Sequence, residues 1–170
     1  MKNKGYSNIR IYNGGIKDWK KSGLPVKSID PLPDVETRFI DVEEFLPIMQ
    51  SAESQNCKDE NGQPLLTLLD LRTERHIDTD DTASSTVTEI KTTCPTIFCL
   101  LDELQNPQVR QQIPKQGLVV TITETGNRDK YAAQFMSKFG YTNLKGLRFG
   151  MRGWIKKDYP VKTRSLTERP

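Results

Sequence analysis

The sequence predicts an α/β chain built on a parallel sheet flanked by helices on both faces, and three observations carry that prediction. The run "PLLTLLDLR" (residues 64–72) is almost continuously apolar and closes on charge, the pattern of a strand covered on both faces. The run "GLVVTIT" (117–123) is a second strand of that kind, and it passes through a glycine turn into "DKYAAQFMSKF", a short amphipathic helix. Strand and helix patterns then alternate through residues 38–163, the order in which a parallel sheet needs its crossovers.

Before that domain comes a repeat. "GYSNIRIYNGGIKDWKKSGLPVK" (5–27) aligns without gaps on "GYTNLKGLRFGMRGWIKKDYPVK" (140–162) at a constant offset of 135 residues, with nine identities that include Gly15/Gly150, Trp19/Trp154 and Pro25/Pro160. Both copies read as a closing unit: a glycine ending a helix, a short strand, a glycine turn, then a short helix that carries one Trp as a core plug and stops before Pro. Residues 1–27 are therefore expected to be the remnant of a preceding domain. Their Ile9, Ile11, Tyr12, Ile16 and Trp19 need a host, either the complete domain or, by exchange, a second copy of the chain in a homodimer. "SIDPLPDVET" (28–37) reads as a linker, residues 38–163 as the complete domain and residues 164–170 as a polar tail.

Inside the complete domain, Asp41 with Glu44 three residues on predicts a capping box, followed by a helix with Phe45, Ile48 and Met49 on one face. "NCKDENGQ" (56–63) is a polar turn before the first long strand. Residues 76–93 are polar and rich in Thr and Ser, a long loop with a weak edge strand at 86–91. A short strand at 96–99 leads into a helix broken near Pro107.

Composition removes several function classes. A net charge of +3, with 25 Lys and Arg scattered among 22 acidic residues, leaves no basic footprint for nucleic acid. No apolar run approaches the roughly 20 residues needed to span a bilayer, and "MKNKGYSNIR" lacks the apolar core of a signal peptide. Cys57, Cys94 and Cys99 cannot all pair, and they read as small apolar residues, with Cys57 in an exposed polar loop. Cys94 and Cys99 lack the further ligands of a zinc site and His76 is the only histidine, so neither a metal nor a cofactor is expected.

In an open α/β sheet, chemistry collects beyond the carboxyl ends of the strands. Thr123, Glu124, Thr125, Gly126, Asn127, Arg128 and Asp129 stand there, with Asp70 and Arg72 at the end of the other long strand. A glycine turn that opens a helix aims backbone N–H groups inward and can hold an anion or a thiolate. Taken together, "LLDLRTE", "TETGNRDKYAA" and the closing unit resemble the signatures of rhodanese-like sulfurtransferase domains: an Asp-x-Arg strand end, a Cys-x-x-Gly-x-Arg-Ser/Thr loop, and a Gly-Tyr-x-Asn, Gly, Trp, Pro-Val ending. The resemblance covers about residues 39–161 and implies a rhodanese-like parallel sheet. Because such domains occur in tandem, it also implies other rhodanese-like domains of a parent chain as partners.

In that family the loop cysteine carries a persulfide and passes its outer sulfur from a donor to an acceptor. Here Gly126 and Arg128 match the loop, Asp129 replaces Ser or Thr, and Thr123 holds the cysteine's position. A threonine hydroxyl neither ionises near neutral pH nor forms a sulfur–sulfur bond. The expectation is a degenerate, non-catalytic domain with a scaffold or regulatory role. The alternative is binding of a small oxyanion, or altered sulfurtransferase activity at the same loop, with Arg128 as anchor and Thr123 as hydroxyl donor.

Individual side chains carry further expectations. A carboxylate at Glu124 would repel an incoming anion by about 4 kcal/mol at ~4 Å and an effective dielectric near ~20, unless it turns outward. Arg128 is expected to pair with Asp70 or Glu74 and tie the loop to the neighbouring strand. Asp129 is expected to cap the helix, Cys99 to be a packed thiol of raised pKa, and His76 to be a solvated loop residue.

Overall fold

A computed structural model of the chain describes residues 10–26, 31–72 and 86–165. The expectations for Ile9, Glu74 and His76 lie outside the described residues. The chain divides into one unit that ends at Pro31 and a larger one that begins at Leu32, a boundary inside the segment read as a linker. The first unit holds helix α1 (Gly15–Lys21).

In the larger unit, five strands form an all-parallel sheet in the order β1-β6-β5-β2-β4. They are β1 (Phe39–Ile40), β2 (Leu66–Asp70), β4 (Thr96–Phe98), β5 (Leu118–Ile122) and β6 (Leu144–Leu147). An antiparallel pair, β3 (Thr86–Ile90) with β7 (Val161–Ser165), stands apart from that sheet. The helices are α2 (Val42–Ser54), α3 (Pro107–Gln112), α4 (Asp129–Ser137) and α5 (Gly150–Lys156), with a 3-10 turn at Leu101–Gln105. β2 is buried along its whole length, as its continuous apolar run requires.

Side chains alternate across the sheet and so build two cores. Leu66, Leu68, Val120 and Ile122 pack with Phe45 and Met49 of α2 and with Met151 and Trp154 of α5. On the other face Leu69, Val119 and Leu144 pack with Ala132 and Met136 of α4 and with Leu104 and Ile113. The helices thus cover both faces, and the carboxyl ends of β2, β5 and β6 open onto one edge.

Several local expectations are corrected. Asp41 stands at the N-cap of α2 without a side-chain capping bond, because its Oδ1 is engaged by Arg148 Nε at 2.6 Å. Ile48 is 40% exposed while Phe45 and Met49 are buried, so the apolar face of α2 is narrower than its spacing suggests. The edge strand at 86–91 forms, but its partner is β7, which runs through Ser165 into the segment read as a polar tail. The break at Pro107 becomes a new start: Asn106 accepts from Gln108 N–H at 2.9 Å and caps α3, with Pro at its first turn.

The largest correction concerns the cysteines. Cys57 is buried rather than exposed, and it forms a disulfide with Cys94, 37 residues away, with Cα atoms 5.3 Å apart. After α2, Asn56 and Cys57 both take left-handed backbone angles (φ 54° and 57°), which folds the cysteine back under the helix end. Glu53 reinforces the link by accepting from Thr92 Oγ1 at 2.7 Å and from Thr93 N–H at 2.9 Å.

The two copies of the closing unit share geometry as well as sequence. α1 and α5 have bounds that differ by the same offset as the sequence repeat. Trp19 Nε1 donates to Pro25 O at 2.9 Å, and Trp154 Nε1 donates to Pro160 O at 3.0 Å. Left-handed residues recur at Gly14 and Phe149, Gly15 and Gly150, and Gly23 and Asp158. Burial differs: Met151 and Trp154 are core residues, whereas Ile16 is 66% exposed and Trp19 is half-buried.

Candidate functional site

β5 carries the chain to Thr123 at the open edge, and α4 begins at Asp129, so the six residues between 122 and 129 form the candidate loop. The turn from β6 into α5 packs on it. Met151 N–H donates to Thr123 O at 2.9 Å and Arg152 N–H donates to Glu124 O at 3.1 Å. The loop carbonyls therefore satisfy N–H groups at the start of α5 that have no partner within the helix. Gly150 makes this approach feasible: its φ is +57°, and a Cβ there would lie 2.1 Å from Thr123 O.

Thr123 is buried, with 3% of its surface exposed, and its hydroxyl is occupied on both sides. It accepts from Gly126 N–H at 3.0 Å and donates to Asp129 Oδ2 at 3.2 Å. Asp129 is therefore not the helix cap that its position suggested. Arg128 holds the N-cap position, and no side-chain capping bond is made there. The carboxyl of Asp129 points inward instead and is fully buried, with Oδ1 lacking any hydrogen-bond partner.

Room for that carboxyl comes from Gly146 in β6, where a Cβ would stand 2.7 Å from Asp129 Cβ. Burial pushes the Asp129 carboxyl up to about 6, the hydroxyls of Thr121 and Thr123 pull it down, and the negative charge of Asp70 adds to the rise.

Asp70 and Arg72, at the end of β2, hold each other: Arg72 Nη2 lies 2.7 Å from Asp70 Oδ2, and Arg72 Nε donates to Oδ1 at 3.0 Å. The expected pairing of Arg128 with Asp70 is thereby replaced, since the nearer guanidinium of Arg72 takes the carboxylate. Arg128 is exposed, as is Asn127, while Thr125 and Gly126 are half-buried. Glu124 turns outward to Arg152, Oε1 to Nε 3.3 Å, and 56% of its side chain is exposed, so it does not face the interior of the loop.

No thiol stands ready at this edge. Cys57 and Cys94 are consumed in the disulfide, and Cys99, just past β4, is buried, with burial and the charges of Glu103 and Asp70 pushing its thiol up to about 12. The raised thiol agrees with the sequence reading of Cys99.

Sequence reasoning missed the buried face of Asp129, the Thr121 hydroxyl beside it, and Phe149. That phenylalanine takes a left-handed φ of 63° at the start of α5 and is 66% exposed, where the first copy has Gly14. The signal for the first of these was present: an isolated glycine inside the strand pattern "LKGL" marks a close approach.

No protein-family model matches the chain, and no curated protein does. Solved structures do match. A rhodanese-related protein from Thermoplasma volcanium is 20% identical with a TM-score of 0.51, over 74% of this chain and 97% of its own. A full-length protein from Lactobacillus plantarum is 20% identical with a TM-score of 0.53, over 74% and 88%. A protein of unknown function from Rhodopseudomonas palustris, described as a possible tyrosine phosphatase, is 16% identical with a TM-score of 0.52, over 92% and 100%. Likeness at these identities is a likeness of fold, and the chain has a rhodanese-like α/β fold.

Proposed function

We propose that this chain is a rhodanese-like domain without sulfur-transfer activity, serving as a scaffold or regulatory partner for other rhodanese-like domains. The observation that carries the reading is the engagement of Thr123, at the position of the family nucleophile, between Gly126 N–H and the Asp129 carboxyl. Among the described residues, a hydroxyl in that setting has no base to activate it other than a carboxyl that its own burial disfavours as an anion. The cysteines support the same reading, since each is either disulfide-bonded or buried with a raised pKa. The oxyanion alternative is weakened by the buried carboxyl beneath the loop and by the Thr123 hydroxyl donating to it rather than outward.

A thiosulfate:cyanide assay tests the proposal. No turnover above the uncatalysed rate is expected, before or after cysteine alkylation. Turnover that alkylation abolishes would defeat it. Thr123→Cys alone is expected to stay inactive, because Asp129 would face the new thiol and raise its pKa. Adding Asp129→Ser removes that carboxyl and is expected to restore a measurable rate.

A further inference from the structure

We propose that the loop of residues 123–128 is a proton-held latch, closed while the Asp129 carboxyl is protonated and loosened when it ionises. The inference is independent of whether the loop performs chemistry. Its ground is geometric: a fully buried carboxyl, one oxygen hydrogen-bonded to Thr123, and the other oxygen without a partner among the described residues. An ionised carboxylate in that position has lost its water and gained only threonine hydroxyls, that of Thr123 at 3.2 Å and that of Thr121, which is shared with Lys145 O, so full hydration reaches it only if the loop opens.

Among the described residues, the surroundings offer no compensating charge. β5 contributes the hydroxyls of Thr121 and Thr123, while β6 contributes Gly146, whose missing Cβ would touch both Asp129 Cβ and the uncharged ring of Phe39 in β1. β2 ends in Asp70, a like charge already paired with Arg72. Glu124 faces Arg152 at the surface. Among the described residues, no ion pair reaches Asp129.

The same hydroxyl joins the carboxyl to the loop. Thr123 Oγ1 holds Gly126 N–H, and the Thr123 and Glu124 carbonyls hold the first N–H groups of α5, so opening at Asp129 frees both contacts.

The sign follows from linkage. The closed state holds its proton up to about pH 6, whereas the opened, hydrated state releases it near the ordinary aspartate value of about 3.9. Protonation therefore favours the closed loop most below the lower value, and that preference is lost as pH rises through the upper one. Between pH 4 and pH 7 the opening constant is expected to rise on the order of 50-fold and then level off.

Amide hydrogen exchange on the intact chain, corrected for intrinsic rates, reads this directly at Gly126, Met151 and Arg152, with Leu68 and Val120 as sheet references. Support would be a loss of protection of that size at the three loop-linked amides alone, abolished by Asp129→Asn. A pH profile parallel to the references, or one that persists in Asp129→Asn, would overturn the proposal. Should that variant not fold, the carbon-13 titration of the wild-type Asp129 carboxyl decides: a midpoint near 6 supports the latch, and one at the ordinary aspartate value overturns it.

Discussion

Replacing Cys57 and Cys94 together by alanine removes a cross-link between the end of α2 and the start of β4 without placing a new polar group in the core. The bond closes a segment of 37 residues, for which the chain-entropy relation gives about 4 kcal/mol of lost stability. Both sites are almost fully buried, so the missing sulfur atoms add a smaller packing loss. In a domain of this size, about 4 kcal/mol corresponds to a fall in Tm of roughly 10–20 °C.

Guanidinium and thermal unfolding of the oxidised chain, the reduced chain and the double variant measure this effect. The reduced chain and the double variant are expected to agree within about 1 kcal/mol, and both to unfold with a larger m-value because the denatured state is no longer cross-linked. Thiol titration in denaturant should find one free cysteine, Cys99, in the oxidised chain. Three free thiols in the untreated protein, or equal midpoints for the oxidised chain and the double variant, would refute the reasoning.

Three other substitutions probe the loop and its neighbours. Thr123→Ala removes the hydroxyl that donates to Asp129 Oδ2 and leaves Gly126 N–H without its partner; a loss of about 2–3 kcal/mol is expected in denaturant unfolding, with Thr123→Ser recovering most of it. Gly150→Ala forces a Cβ against Thr123 O and should cost more than 3 kcal/mol or prevent folding, as circular dichroism would report. Phe149→Gly relieves a left-handed aromatic that is already 66% exposed, and the Tm should rise by an amount equivalent to about 1 kcal/mol.

The parts of the fold that were legible in the sequence are those dictated by pattern. The long apolar runs became β2 and β5, and the constant offset between repeats foretold the matched helices and the matched Trp-to-Pro hydrogen bonds. What stayed hidden depends on tertiary approach. Asp129 occupies the sequence slot of a helix cap, and only Gly146 on a strand 17 residues later lets it turn inward. Asp41 and Glu44 spell a capping box, yet Arg148, far along the chain, captures the aspartate first. Likewise Cys57 reads as a loop residue until two left-handed residues fold it under α2 against a cysteine that no local pattern marks as its partner.

The claim most exposed to test is that no group on this chain can carry sulfur. Incubating the oxidised protein with excess thiosulfate, quenching, and weighing it intact by mass spectrometry reads persulfide formation without depending on any acceptor. The account predicts an unchanged mass at every thiosulfate concentration. Stoichiometric gain of one sulfur atom, mapped by peptide digestion to Cys99 or to a cysteine released from the disulfide, would contradict it.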